Sequence, residues 1–361
     1  MSLGKEALAV VAGPYRYYQV LWLYTQFPEY RWSILLLPYG KGNESVSDLC
    51  NKSKSLGIFE KIYISDMIGQ DSSKVKQILI ILRMMLYYIV GKKRILMKQL
   101  ILSQTEKKEF DVFFIGCEYS IIEGAVMGLA DEKEVYVFEE GLGDYISKKK
   151  FPRFSFDEIM SYLVTRMGYF SPYTYFELEN TSLCIKYASL PKLLRKRSYR
   201  EIRPLFVGDL ASTLKYKALL NSIYEIPKEQ LKNSEIVLFT APWDWGIEDK
   251  KYCLDKMRQW LTTRYRGKHI AIKKHPRDQE KYEWNTLKIS FLPSQIPAEI
   301  MAEYLTNKEI VMMGVSTTIL SLLTKAENIK IIQFDNLHGE YERNIEEKVI
   351  LLNIEDKVVH L

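Results

Sequence analysis

Two carboxylates and two glycines share the run Phe138-Glu139-Glu140-Gly141-Leu142-Gly143-Asp144-Tyr145. Glycine lets the backbone turn sharply and lets a substrate approach it closely. A carboxylate just before such a turn stands at the rim of a cleft, where it can take a proton from a substrate hydroxyl. A second run, Ala271-Ile272-Lys273-Lys274-His275-Pro276-Arg277-Asp278, closes an apolar segment with cations. Side chains alternate along a strand, so Lys273 and His275 are expected on one side, and Pro276 ends the strand because it has no N–H to donate. Two cationic donors at a strand terminus suit a phosphate. The chain has only 4 histidines, which singles out His275 further. A third run, Met313-Gly314-Val315-Ser316-Thr317-Thr318, sets small hydroxyl residues between an apolar segment and a helical pattern. They cap that helix, and its first free N–H groups can also hold a phosphate. In a fourth, Ile296-Pro297-Ala298-Glu299-Ile300, Glu299 is either an ordinary first-turn acid or a ligand for a ribose diol.

These groups need strand ends to carry them. Short apolar runs alternate with longer helical patterns, as in βα units around a mainly parallel sheet. Strands are predicted over 7–12, 32–37, 61–65, 112–115 and 135–138, then over 236–240, 269–273, 289–292, 310–313 and 330–334. Between the two series, residues 148–231 are irregular and rich in Tyr and basic side chains, with Pro172, Pro191, Pro204 and Pro227 as breaks. They read as helices completing a first domain, followed by a linker. The expected fold is α/β, with two Rossmann-like domains, 1–230 and 231–361, whose parallel sheets face each other across a cleft. This is the GT-B arrangement of many glycosyltransferases, although a fold alone does not establish chemistry. Ligands of such sheets collect at the carboxyl ends of the strands, where all four runs fall. Glu140, His275 and Ser316 are thus expected to converge.

A chain of 361 residues with 47% hydrophobic and 27% charged residues can bury a sizeable core and suits two soluble domains. The net charge of +6, from 51 basic and 45 acidic residues, fits an anionic small molecule, a membrane surface or a polyanion. No nucleic-acid recognition motif accompanies it. Cys50, Cys117, Cys184 and Cys253 lie far apart, without metal-ligand spacing, and read as reduced thiols. The N-terminus enters a strand without a basic head and an apolar signal run, so a cytoplasmic location is expected. The apolar stretch Ile78–Val90 is interrupted by Arg83 and falls short of the roughly 20 residues that cross a bilayer. It is either a helix buried in the protein or, with Lys92, Lys93, Arg94 and Lys98, a helix lying on an anionic membrane surface. A second basic run, Lys192–Arg203, either joins that same face or, like the first run, is a solvated helix.

In its order of motifs the chain resembles the bacterial sialyltransferases. It is most similar to glycosyltransferase family 52, which acts on lipooligosaccharide and capsule, and to the related bacterial polysialyltransferases. The matching pieces are Glu139-Glu140-Gly141, His275-Pro276 and Ser316-Thr317, with the strand-turn-helix start Gly13-Pro14-Tyr15-Arg16-Tyr17-Tyr18-Gln19. Family members often carry Asp where this chain has Glu140, and Thr240-Ala241-Pro242-Trp243-Asp244-Trp245 is only loosely like the corresponding family loop.

The resemblance implies one inverting displacement with CMP-sialic acid as donor. Glu140 would be the general base, and His275 would protonate or hydrogen-bond to the leaving phosphate. Ser316 and Thr317, beside Gly314, would hold that phosphate, with Lys273 adding charge, Glu299 binding the ribose and Pro276 bordering the cytosine. Glu139, Gly141, Asp144 and Gln19 would line the acceptor side. No metal or cofactor is expected, since a monophosphate leaving group carries less charge than a diphosphate and no DxD motif is present. The expected partners are CMP-sialic acid and an acceptor glycan, with peripheral contact to the inner membrane face and no nucleic acid. Two other readings use the same residues: a GT-B transferase for CMP-Kdo or a nucleotide diphosphate sugar, and a non-catalytic protein binding membranes or polyanions through its basic runs.

Overall fold

Segments such as EALAVV, VFFI and IVLF are apolar almost without interruption, the pattern of strands covered on both faces of a parallel sheet. In the computed structural model they lie at the centres of two such sheets. The structure describes residues 4–37, 43–65, 79, 82–83, 86–87, 89–116, 121–139, 141–145, 182–194, 199–241, 243, 249–275, 278–316, 318–323, 326, 328–334 and 340–361. The chain divides into two units, Met1–Ile223 and Tyr224–Leu361.

The first unit carries β1 (Glu6–Val11), β2 (Arg31–Leu36), β3 (Lys61–Ile64), β4 (Val112–Ile115), β5 (Glu134–Phe138), β6 (Ile185–Ala188) and β7 (Glu201–Pro204). They form a 7-stranded sheet in the order β3-β2-β1-β4-β5-β6-β7, with every pairing parallel. Alternation along β4 serves two cores. Phe113 and Ile115 pack with Leu96, Met97 and Val126. Phe114, on the opposite face, stacks on Trp32 at 4.4 Å and on Tyr136 at 4.8 Å between ring centres. The helix Pro14–Gln26 follows β1, with proline in its first turn, where a missing N–H costs nothing.

Two sequence expectations are corrected here. The described part of 148–231 holds two strands, β6 and β7, as well as the helix Leu210–Ile223. The basic run Lys192–Arg203 forms part of the short turn Pro191–Leu193 and of β7 rather than a solvated helix. The reason lies in two buried or edge charges. Lys186 interrupts the apolar pattern of β6, yet its ammonium is fully enclosed, pairing with Asp144 at 2.7 Å and donating to the Phe138 carbonyl at 3.2 Å. β7 is the sheet edge, where charged residues and Pro204 blunt further pairing.

The second unit has β8 (Ile236–Phe239), β9 (His269–Lys273), β10 (Lys288–Leu292), β11 (Glu309–Met313), β12 (Asn328–Gln333) and β13 (Val358–His360). Its 6-stranded sheet runs β10-β9-β8-β11-β12-β13, again all parallel. Both units therefore have the Rossmann order, in which the strand sequence reverses beside the first strand. Among the described residues no helix is long and apolar enough to cross a membrane.

Candidate active site

Where strand order reverses in an open parallel sheet, successive connections leave in opposite directions and open a crevice at the carboxyl ends. In the second unit that point lies between β8 and β11. Gly314 follows β11 with φ 76, a conformation that costs other residues energy, so the chain can turn directly off the strand. Ser316 is exposed, and its carbonyl accepts the Ile319 N–H at 3.1 Å as the helix Thr318–Leu323 begins. Across this turn Thr318 Oγ1 donates to Glu299 Oε1 at 3.1 Å, linking the helix start to the neighbouring short helix Ala298–Met301. Lys348 Nζ donates to the Val315 carbonyl at 2.9 Å and so pins the same turn from the helix Glu340–Leu352. Desolvation lowers the Lys348 pKa to about 8, against the pull of Glu347.

Lys273 is the last residue of β9 and only 6% exposed. Its ammonium donates to the Ser294 carbonyl at 2.8 Å. Burial lowers its pKa to about 8, while the negative charge of Glu299 works in the other direction. Lys273, Glu299, Gly314 and Ser316 therefore come from the carboxyl-end connections of a single sheet.

His275 departs from the alternation expected of it, because β9 stops at Lys273. Its main chain is instead captured by a side-chain network. The His275 N–H donates to Thr240 Oγ1 at 3.0 Å, and the Thr240 hydroxyl donates in turn to Asp278. Tyr282 also donates to Asp278, at 2.7 Å, and accepts from Trp243 Nε1 at 2.8 Å. The Asp278 N–H returns to the His275 carbonyl at 2.8 Å, closing the loop on itself. Burial first, and then the charge of Asp278, raise the Tyr282 pKa, so this phenol stays a donor. Sequence reasoning missed Thr240, Asp278 and Tyr282 as a unit. The available signal was an acid three residues after His275 and a tyrosine four beyond that.

In the first unit, Glu139 follows β5 and is fully buried. Its carboxylate accepts from Tyr15 Oη at 2.8 Å, from the Ser189 N–H at 2.7 Å, and from the hydroxyls of Ser189 and Tyr145. It thus ties the start of the helix Pro14–Gln26 to the ends of β5 and β6. Gly141, at φ 133, sits in a backbone region that suits glycine almost alone. Asp144 is committed to Lys186. Beside them Arg16 pairs with the buried Glu123 at 3.1 Å, and Glu123 also accepts the Gly116 N–H at 3.1 Å. A side chain at Gly116 would meet Arg16 Nε at 2.7 Å, so the glycine makes room for that guanidinium. Gln19 is 0% exposed, and neither polar atom of its amide has a partner. Any ligand offering it hydrogen bonds would remove a desolvation cost. Glu140, Pro276 and Thr317 lie outside the described residues. Among the described residues no three His, Cys, Asp or Glu side chains gather as a metal site requires.

The family model of Glycosyltransferase family 52 matches residues 62–336. No curated protein sequence matches the chain. Several solved structures are similar to it in fold. One is a UDP-glucosyltransferase from Polygonum tinctorium capable of glucosylating indoxyl, with a TM-score of 0.53 at 11% identity, covering 99% of this chain and 87% of that one. Another is the glycotransferase of kitacinnamycin, with a TM-score of 0.51 at 9% identity and coverage of 99% and 86%. A third is Arabidopsis thaliana UGT89C1 complexed with UDP-L-rhamnose, with a TM-score of 0.50 at 10% identity and coverage of 99% and 85%. At such identities the likeness carries the fold alone. Together with the two parallel Rossmann-like sheets, it gives the GT-B class.

Proposed function

The chain belongs to glycosyltransferase family 52, and we propose that this glycosyltransferase moves sialic acid from CMP-sialic acid to an acceptor glycan of capsular or lipooligosaccharide type. The observation that carries the proposal is the cluster at the carboxyl end of the second sheet. There the buried Lys273, the fixed main chain of His275, the Gly314–Ser316 turn and Glu299 adjoin the point where strand order reverses.

The reaction is one inverting displacement. The acceptor hydroxyl oxygen forms a bond to the anomeric carbon as the bond from that carbon to the CMP phosphate breaks. Glu140 takes the acceptor proton, and CMP leaves with the bonding electrons. His275 donates a hydrogen bond or a proton to the leaving phosphate. Ser316 and Thr317 hold its growing charge, and Lys273 adds an electrostatic contribution. Such preorganised donors are usually the largest catalytic factor. Glu299 binds the ribose, and Pro276 borders the cytosine. Glu139 and Asp144 hold the described ends of the Gly141–Tyr145 segment in place through Tyr145 and Lys186, and Gln19 lies on the acceptor side. The leaving group is a monophosphate, so these cations and dipoles suffice without a metal. The reaction is proposed to run in the cytoplasm, at or near the inner face of the membrane.

Incubation with CMP-sialic acid and a panel of galactosides and sialosides, read by mass spectrometry, tests the proposal. A sialylated product formed without added magnesium is expected, together with calorimetric binding of CMP and none of UDP. Replacing Glu140 or His275 with alanine should lower turnover by at least about 10²-fold, the lower range for losing a general acid or base. Transfer from CMP-Kdo alone, or binding of UDP in place of CMP, overturns the donor assignment.

A further inference from the structure

Lys348, on the helix Glu340–Leu352, reaches back 33 positions to donate from Nζ to the Val315 carbonyl at 2.9 Å. That carbonyl belongs to the peptide that joins the buried Val315 to the exposed Ser316. The peptide is trans, so its C=O and its N–H point in opposite directions. Holding the carbonyl toward the helix Glu340–Leu352 therefore turns the Ser316 N–H away from it. Among the described residues that N–H meets no acceptor. On the other side of Ser316 its own carbonyl is held by the Ile319 N–H, so the amide is fixed from both ends.

The residue type is the second observation. A carbonyl can be held by any neutral donor, glutamine for instance, without taking a charge out of water. Lys348 is instead half-buried, and desolvation lowers its pKa to about 8 although the neighbouring Glu347 works the other way. Among the described residues it forms no ion pair. Lys186, the enclosed lysine of the first unit, differs: Asp144 lies against it at 2.7 Å. At the carboxyl end of the second sheet both lysines, Lys273 on the Ser294 carbonyl and Lys348 on the Val315 carbonyl, hold main chain and no carboxylate. An anion bound at this end is the partner that makes use of such charges.

We propose that Lys348 is a positioning residue for the donor phosphate: it fixes the Val315–Ser316 peptide with its N–H toward the phosphate and sets a positive charge behind that peptide. This rests on the reading of the Gly314–Ser316 turn as the holder of the phosphate, and it adds to that reading a residue that acts through the main chain. Summing the Lys348 hydrogen bond, the peptide and a second hydrogen bond places the ammonium roughly 8 Å from a phosphate oxygen on the Ser316 N–H. At an effective dielectric of about 20, a unit charge at that distance strengthens anion binding by up to about thirtyfold.

The test is calorimetry of the full chain at neutral pH with CMP and with cytidine, which lacks the phosphate; cytidine is read by its displacement of bound CMP. Lys348→Met should weaken CMP binding at least about tenfold and leave cytidine binding unchanged. A lysine with a merely structural role would move both ligands together. Lys348→Arg keeps a charged donor and should restore most of the CMP affinity, and Lys348→Gln keeps the donor alone and should fall between the two. If the methionine variant fails to fold, the glutamine variant still reads the loss of charge. The role of Lys348 alone is overturned if a folded Lys348→Met or Lys348→Gln keeps the parental preference for CMP over cytidine, or if cytidine loses as much as CMP. An unaltered chain that shows no preference for CMP over cytidine overturns the phosphate-holding turn and this role with it. Should the unaltered chain take UDP in place of CMP, the same comparison with UDP and uridine decides on Lys348 separately from the donor assignment.

Discussion

Replacing Thr240 with valine keeps the shape of a buried side chain and removes only its hydroxyl. That hydroxyl accepts the His275 N–H at 3.0 Å and donates to Asp278, and both Thr240 and Asp278 are more than nine-tenths buried. The variant therefore removes the Thr240 acceptor from one part-buried amide, a cost of up to about 1–3 kcal/mol, and removes one charge-assisted hydrogen bond worth about 1.5–3 kcal/mol. Asp278 keeps Tyr282 and the Glu280 N–H as donors, and the added methyl group recovers part of the loss, so a net destabilisation of about 2–4 kcal/mol is expected. For a unit of this size each kcal/mol lowers the melting temperature by roughly 3–5 °C, which places the drop near 10 °C. The kinetic consequence is separate. With the Thr240 contact gone, the His275 main chain keeps only the Asp278 N–H on its carbonyl among the bonds described, so the loop can shift, and a displacement of about 1 Å is enough to cost up to about 10² in turnover. Turnover should thus fall by about 10–10², with a smaller change in KM for the donor, because the Gly314–Ser316 turn is untouched. Differential scanning calorimetry and initial-rate kinetics on Thr240→Val and Thr240→Ser check this. The serine variant retains the hydroxyl and should keep most of the parental turnover. A valine variant with parental stability and parental turnover would refute the idea that this network holds the His275 loop.

Two further outcomes follow from buried charges. Lys186→Met leaves the Asp144 carboxylate enclosed without its cation and should cost about 3–5 kcal/mol in denaturant unfolding, whereas Lys186→Met/Asp144→Leu should recover most of that loss. Lys273 sets a pH dependence: it is protonated below about 8 in the folded chain, against 10.5 ordinarily. CMP affinity should accordingly decline as pH rises through 8, and Lys273→Met should flatten that decline in calorimetry. Stability runs the opposite way. Between pH 8 and 10.5 the unfolded chain holds a proton that the folded chain has released, so unfolding becomes harder as pH rises across this window, by at most about 3 kcal/mol from this residue.

The central strands were legible in the sequence because a parallel sheet covered on both faces demands uninterrupted apolar runs. EALAVV, VFFI, IVLF and EIVMM can bury themselves in few other ways. The turn chemistry was equally legible, since Gly141 and Gly314 occupy backbone conformations that other residues avoid. β6 and β7 escaped because their signals are ionic. Lys186 looks like a solvent residue until Asp144, 42 positions earlier, is seen to pair with it, and Glu201 and Arg203 look like loop until β7 is seen to be an edge.

What the sequence determined by itself is therefore the α/β fold class and the location of reactive residue types at strand ends, both consequences of local periodicity and backbone sterics. Which groups hold one another was decided by tertiary structure alone. Thr240 reaches Asp278 across 38 positions, Lys348 reaches Val315 across 33, and Tyr15 reaches Glu139 across 124. These partnerships exist because parallel sheets bring distant strand ends side by side, and short-range pattern carries no record of that distance. The buried-helix reading of 78–90 was overturned in the same way for its described residues, since Leu79, Leu82, Leu86 and Ile89 are exposed: an apolar helix reads alike whether its side chains meet the core or the outside.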